Sequence, residues 1–496
     1  MSIGIEQKKP SYGIIAILLI GAFVSLLSNT LLNIALPSIM NEFKVSPSTV
    51  QWLTTGYMLV NGIMIPSTAF LIQRYSVRHL FLVAMSLFTL GTVIAGFSPS
   101  FTSLLLGRMV QASGSAIMMP LLMNVLLTSF PVEKRGSAMG MFGLVMIFAP
   151  AIGPTLSGWI IEHYTWEMLF HIISPVAFLV LLLAFFKLRD KKEKVQIKLD
   201  VLSIILSSIG FGGILYGFSA AGDKGWSNPQ VYVTLLVGGI SLVLFILRQF
   251  KLDQPMLDFR VYKYPMFALS SAISVSINMA MFSAMILMPI YLQSIRHISP
   301  LDSGLLMLPG ALIMGVMSPI TGRLFDKFGA KILAIIGLTI TIITSYYFSQ
   351  LTFTTSYTTL IALYTFRMFG MSMIMMPVMT NGLNQLPMRY TPHGTAMNST
   401  LQQVSGAIGA ALLVTLMANR TETYIKELTE KAMNSLPAQP TPEALAEMNQ
   451  QIMVTATIEG INFSFLVSVG ITVISLILAL FIKRPKPGED LLREDS

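Results

Sequence analysis

RMVQASGSAIMMPLL, residues 108–122, returns as RMFGMSMIMMPVM, residues 367–379, and this return decides how the chain is built. The Pro131 of SFP comes back as the Pro387 of QLP, and GSAMG at Gly136 as GTAMN at Gly394, with offsets of 259, 256 and 258. A nearly constant shift over some thirty residues predicts two homologous halves. Around the repeat, apolar runs of membrane-spanning length fall at 12–37, 49–71, 79–97, 103–125, 137–160, 166–186, 199–219, 230–248, 266–291, 303–325, 330–350, 356–380, 394–417 and 461–482. Spans 1–6 and 9–14 form the halves, and spans 7 and 8 are left over. The expected domains are therefore 1–190, a linker with two spans at 191–262, and 263–496. Within the last, 418–458 is one long polar loop, read as two short surface helices forming a flap.

The composition agrees. A chain of 496 residues that is 54% hydrophobic and 11% charged has too much apolar surface to hide in a soluble core. Its mean hydropathy is +0.71. The first apolar run lacks a small-residue cleavage site, so a retained first span is expected, and no transit or lipidation signal is visible. The absence of cysteine excludes disulfides, thiolate metal sites and thiol nucleophiles. A net charge of +9 invites a nucleic-acid reading, but the positions of the charges decide otherwise. With the N-terminus placed inside, inside loops and tails carry 24 of the 32 Lys and Arg, outside loops six, and Arg108 and Arg367 lie within spans. That bias predicts both termini in the cytoplasm of a multi-pass cell-membrane protein with no nucleic-acid partner.

The fifth span, GSAMGMFGLVMIFAPAIGPTLSGWI at 136–160, is crowded with small residues and proline. At helical spacing Ala149, Gly153 and Ser157 share one face, with Pro150, Pro154 and Gly158 alongside, so a neighbouring helix can approach backbone to backbone. Gly140, Ala149, Gly153-Pro154 and Ser157-Gly158 resemble the antiporter motif of the major facilitator superfamily. The fourteen spans, LLNIALPSI at 31–39, QWLTTGYML at 51–59, LMPIYLQ at 287–293, LMLPG at 306–310 and QQVSGAIGAAL at 402–412 are similar to the fourteen-span drug:proton antiporter family, the multidrug efflux branch. The resemblance implies an all-α polytopic membrane protein with the major facilitator fold, two six-helix bundles plus two extra transmembrane helices. It also implies export of amphipathic small molecules in exchange for protons.

Motif by motif, GRLFDKFGAK at 322–331 resembles the family's cytoplasmic gate loop, with Gly322, Arg323, Asp326, Gly329 and Lys331 in register. Its glycines permit a turn, and Asp326 can cap a helix end or pair with a basic residue. The first-half counterpart, AFLIQRYSVRHL, has Gln73 where the family's Asp stands, which leaves its latch in question. Arg108 and Gln111 match the span-4 motif R-x-x-Q-G, with Ala112 for the Gly. An Arg within a span is costly and should face the bundle interior or water. The alternative is that it snorkels to the interface or bonds only backbone carbonyls. Arg367 is its repeat mate but lacks the following Gln.

Asn29, Asn33 and Gln51 supply further hydrogen-bonding groups, and Met376 belongs to a methionine cluster suited either to varied ligands or to plain packing. Where many relatives carry a span-1 carboxylate, this chain has Ser28-Asn29. None of its 23 acids lies deep in an apolar run, and Asp200, Asp302 and Glu459 at span edges are the only near-membrane candidates for a titrating group. Arg108 therefore lacks a fixed counter-ion, which favours anionic, zwitterionic or neutral amphiphiles over lipophilic dications. No nucleophile–base pair, metal spacing or cofactor motif is present, so an enzyme is not expected. The competing readings are an exporter of an endogenous metabolite or lipid, a facilitator without proton coupling, and a channel or sensor. The lipid bilayer is an expected partner, and the chain is expected to act as a monomer.

Overall fold

The computed structural model describes residues 12–45, 47–50, 52–188, 200–435 and 442–483. Gln51, the side chains of Asn33 and Pro154, and most of the basic linker fall outside this description. Among the described residues there is no strand, and fourteen helices are long and apolar enough to cross a membrane. They are α1 (Tyr12–Phe43), α2 (Trp52–Arg74), α3 (Val77–Gly96), α4 (Phe101–Ser129), α5 (Arg135–His163), α6 (Met168–Lys187), α7 (Val201–Lys224) and α8 (Pro229–Lys251). The second half holds α9 (Pro265–Pro289), α10 (Pro300–Phe328), α11 (Ala330–Phe348), α12 (Tyr357–Leu383), α13 (Thr391–Ser435) and α14 (Pro442–Ala479). The face carrying most of the lysines and arginines holds the starts of α1, α3 and α5, and is called here the basic face.

Several boundaries have readable causes. Ser76, Ser100, Asn228, Ser299 and Ser356 each accept a backbone N–H in the first turn of the helix they precede. Gly329, at φ +79°, makes the one-residue turn from α10 to α11, a backbone conformation that costs glycine nothing. In α12 the ring of Pro377 cannot donate to the carbonyl of Met373, and the helix opens into a turn at Met373–Ile374.

The expected outer loop at 418–458 is corrected. Helix α13 runs unbroken to Ser435 and α14 begins at Pro442, so this segment prolongs two spans instead of forming two separate surface helices. Hydropathy marks where a helix leaves the lipid, and the helix itself need not stop there. Glu422 and Lys426, 2.7 Å apart at i,i+4, support the extension, and Arg420 on α13 meets Glu459 on α14 at 3.0 Å.

The two leftover spans form a hairpin packed through Gly213 and Gly238, where an added Cβ on Gly213 would stand 2.9 Å from the Gly238 Cα. At its base Arg248 grips the Asp200 carboxylate at 2.7 and 2.9 Å, and this hydrogen-bonded guanidinium holds the Asp200 carboxyl below its ordinary range. Helix α7 rests on both halves. Leu215 fills the space at Gly62 of α2, Tyr216 stacks on Trp52 with ring centroids 5.7 Å apart, and Trp226 just beyond it donates to Thr415 of α13 at 2.7 Å.

Candidate functional site

Both intramembrane arginines are completely buried, so neither snorkels nor faces acyl chains. On α4, Arg108 donates through Nη1 to Gln111 Oε1 and through Nη2 to Asn29 Oδ1 of α1 at 2.9 Å. Its guanidinium carbon lies 4.2 Å from the ring centre of Tyr57 on α2, a cation–π contact in a desolvated setting. Gln111 donates onward to Ser28 Oγ at 2.9 Å and to Thr92 Oγ1 of α3 at 2.8 Å. Among the described residues no carboxylate touches Arg108, its Nε is without a hydrogen-bond partner, and so is the Tyr57 hydroxyl.

Arg367 is arranged differently. It donates to Ser345 Oγ of α11, to the Ala280 carbonyl of α9 at 2.8 Å and to Ser283 Oγ of α9 at 3.1 Å. Residue offsets of 253 and 255 place Ser345 opposite Thr92 in the repeat and Ser283 opposite Ser28. The two hydroxyls that Gln111 serves in the first half are thus served by the arginine itself in the second. The cause is the missing Gln: position 370 is Gly, and an added Cβ there would stand 2.8 Å from the Gly337 carbonyl oxygen. Arg367 staples α9 and α11 within its own half, whereas Gln111 frees Arg108 to reach Asn29 and Tyr57. Sequence reasoning missed Ser28, Tyr57 and Thr92 as parts of this cluster.

The small residues of α5 serve two neighbours. Nearer the basic face, Gly136, Gly140 and Gly143 lie against α10 of the other half, and Ser318 donates to the Gly140 carbonyl at 3.0 Å. Farther along, an added Cβ on Gly153 would stand 2.3 Å from Thr30 Oγ1, Thr30 donates to the Ala149 carbonyl at 3.3 Å, and Ser157 donates to the Leu31 carbonyl at 2.6 Å. That portion packs on α1 of its own half. Gly158 has open space around it and is not part of the packed stripe. Met376 is buried in the seam, where its Cγ would lie 3.2 Å from a Cβ on Gly143.

At the basic end the seam is bonded shut. Asp326 of α10 accepts from the Gly136 N–H at 2.9 Å, the Ser137 N–H at 3.0 Å and the Ser137 hydroxyl at 2.7 Å, which caps the N-terminus of α5 across the halves. Gly322 is no turn glycine but a helix-packing one, since an added Cβ would stand 2.4 Å from the Gly136 carbonyl oxygen. Arg135 donates to Asn384 Oδ1 at 3.2 Å. Arg323 and Lys331, by contrast, are exposed. A further link joins α2 to α13, with Gln73 meeting His393 at 2.9 Å. None of the edge acids Asp200, Asp302 and Glu459 reaches Arg108. Exposed Asp302 accepts from Ser299 in the first turn of α10, and half-exposed Glu459 is paired with Arg420.

Fourteen spans, twelve of them in two six-span repeats closed on each other at one face, define a polytopic helical membrane protein of the two-bundle kind. Residues 18–410 match the Major Facilitator Superfamily, and the chain belongs to it: a multi-pass membrane transporter of small molecules, not an enzyme. It is 46% identical over 491 residues to the uncharacterised MFS-type transporter YcnB of Bacillus subtilis, covering 99% of each chain. It is 43% identical over 480 residues to the lincomycin resistance protein LmrB of Listeria monocytogenes, covering 97% of this chain and 98% of that one. At 27% identity it also matches the multidrug export protein EmrB of Haemophilus influenzae over 83% of this chain and 81% of the relative. These relatives agree with the fourteen-span drug:proton antiporter branch. The crystal structure of the human organic anion transporter MFSD10 shares the fold at TM-score 0.62 and 12% identity, covering 95% of this chain and 100% of that one.

Proposed function

We propose that this protein is a secondary active exporter of hydrophobic or amphipathic compounds, working in the cell membrane by alternating access with both termini cytoplasmic. The observation that carries the reading is the bonded seam between α5 and α10, where Asp326 of one half caps the helix of the other. A tight, glycine-lined contact of this kind suits a joint that is either fully made or fully parted. The positive bias of the same face supports its placement inside. The relatives named for lincomycin resistance and multidrug export support drugs as cargo.

Within that reading, the cargo site includes Arg108, Asn29 and Gln111. Every described partner of Arg108 is neutral, so an anionic, zwitterionic or neutral amphiphile meets a favourable field there, and a lipophilic dication does not. Proton exchange is part of the proposal through the family. A facilitator without proton coupling is the second reading, favoured by Ser28-Asn29 in place of a span-1 carboxylate and by the surface pairing of Glu459. The test is transport into inverted vesicles with a proton gradient imposed and then collapsed, using anionic and dicationic dyes. Gradient-driven uptake of the anion that Arg108→Ala abolishes supports the reading, and Asp302→Asn and Glu459→Gln then ask which acid titrates. Dication uptake at full rate, indifferent to Arg108→Ala, overturns the site assignment.

A further inference from the structure

The Gln73–His393 link has a property that its partner link lacks. An offset of 253 places Gln73 at the repeat position of Asp326, and an offset of 258 places His393-Gly394 at that of Arg135-Gly136. The two links are therefore the same joint made twice, α10 onto α5 and α2 onto α13. In the first an aspartate meets backbone donors. In the second a neutral amide meets an imidazole that is only 5% exposed.

The ring's protonation state follows from its partners. The backbone N–H of Asp258 points at His393 Nδ1 from 3.1 Å, and a backbone N–H can only donate. Nδ1 therefore accepts and the proton sits on Nε2; the Gln73 amide meets that N–H with its oxygen after a half turn, which gives up the long 3.3 Å bond from its nitrogen to the Ala69 carbonyl. The closed joint accommodates the neutral ring alone, since a proton on Nδ1 would set two donors against each other in a buried place. The Asp258 carboxylate acts on the ring through its charge but makes no hydrogen bond to it. The Asp258 carboxylate accepts the Arg260 N–H at 2.9 Å and lies 3.9 Å from its guanidinium. Arg74, at the end of α2, rests over Phe70 and Tyr75 at 5.7 and 5.5 Å, and the Tyr390 ring centre is 6.5 Å from that of His393.

We infer that His393 is a proton-operated latch of the basic face: neutral, it locks α2, α13 and the 252–264 linker together, and protonated, it releases them. The inference rests on the alternating reading above. With an ordinary histidine value near 6.5 in the open form and a closed form that holds only the neutral ring, the open-to-closed ratio scales as one plus the protonated-to-neutral ratio, and rises about tenfold from pH 7.5 to pH 5.5.

The chain contains no cysteine, so dyes placed on His79→Cys and Arg389→Cys, both exposed at the basic face, report its opening without background. The expected result in nanodiscs is an approximately tenfold rise in the open-to-closed ratio over that pH range, reduced to less than twofold by His393→Asn, which keeps an acceptor and cannot titrate. A second variant replaces His163, His171 and His297 by Asn and leaves His393 as the sole histidine; it keeps the full response. A flat wild-type profile, an unchanged response in His393→Asn, or its loss in the sole-histidine variant overturns the latch. If substrate moves the dyes while pH does not, the latch fails and alternating access stands. If neither moves them, alternating access itself fails.

Discussion

Replacing Asp326 by Asn leaves the shape of the α5–α10 joint intact and removes its charge. In the native joint one carboxylate receives three hydrogen bonds, from the Gly136 N–H at 2.9 Å, the Ser137 N–H at 3.0 Å and the Ser137 hydroxyl at 2.7 Å, at the positive end of α5. An asparagine keeps one oxygen and turns its NH2 toward a backbone N–H, so at least one charge-assisted bond is lost. A bond to a charged group contributes about 1.5–3 kcal/mol, and a charge at a helix end adds about 1 kcal/mol. The expected loss is about 3 kcal/mol, a shift of roughly a hundredfold toward the state with the basic face parted. Single-molecule energy transfer between dyes at residues 79 and 389 measures that ratio directly. Gly322→Ala, which brings a methyl group to 2.4 Å from the Gly136 carbonyl oxygen, is expected to move the ratio in the same direction by wedging the helices apart. A change of less than threefold in both variants, or a shift toward closure, refutes the reasoning.

Gln111→Gly copies the second half's arrangement, so Arg108 turns to Ser28 and Thr92 and leaves Asn29; transport is expected to fall at least tenfold while the melting temperature moves by only a few degrees. Arg367→Lys cannot bridge α9 and α11 at once and is expected to destabilise the fold by about 2 kcal/mol, seen as an earlier thermal transition, because it strips buried partners of a charged donor. The Asp200 carboxyl is depressed by Arg248, so its contribution is complete above the ordinary carboxylate range and disappears as pH falls through its lowered value. Proteolysis of the α7–α8 base should accordingly stay flat from pH 7 to pH 5 and rise only in stronger acid, and Asp200→Asn should raise it at every pH.

The apolar runs were enough to read the number of spans, because a bilayer forces every spanning backbone into a helix, and the repeat beginning at Arg108 and Arg367 divided them into two halves and a stray hairpin. The packing stripe of α5 was legible as a stripe, but not which neighbour it faced: Gly140 meets the other half and Gly153 its own. The polar segment 418–458 was misread because loss of apolar character signals exit from lipid and carries no helix stop until the prolines near 440. Tyr57, Thr92 and Ser28 gave no local signal, since each joins Arg108 or Gln111 only through tertiary packing. His393 did leave one. Laying the two gate loops over each other by the repeat offset sets Gln73 against Asp326 and His393 against Arg135, a swap that charge counting alone overlooks.

Two bundles that part at one face when they meet at the other must show reciprocal accessibility at those faces. Single cysteines at Arg389, on the basic face, and at Trp52, on the opposite one, are titrated with an impermeant thiol reagent in the presence and absence of transported substrate. Substrate is expected to raise reactivity at one position and lower it at the other, and Asp326→Asn to raise it at 389 and lower it at 52. Reactivities that rise and fall together, or that substrate leaves unchanged at both faces, contradict alternating access.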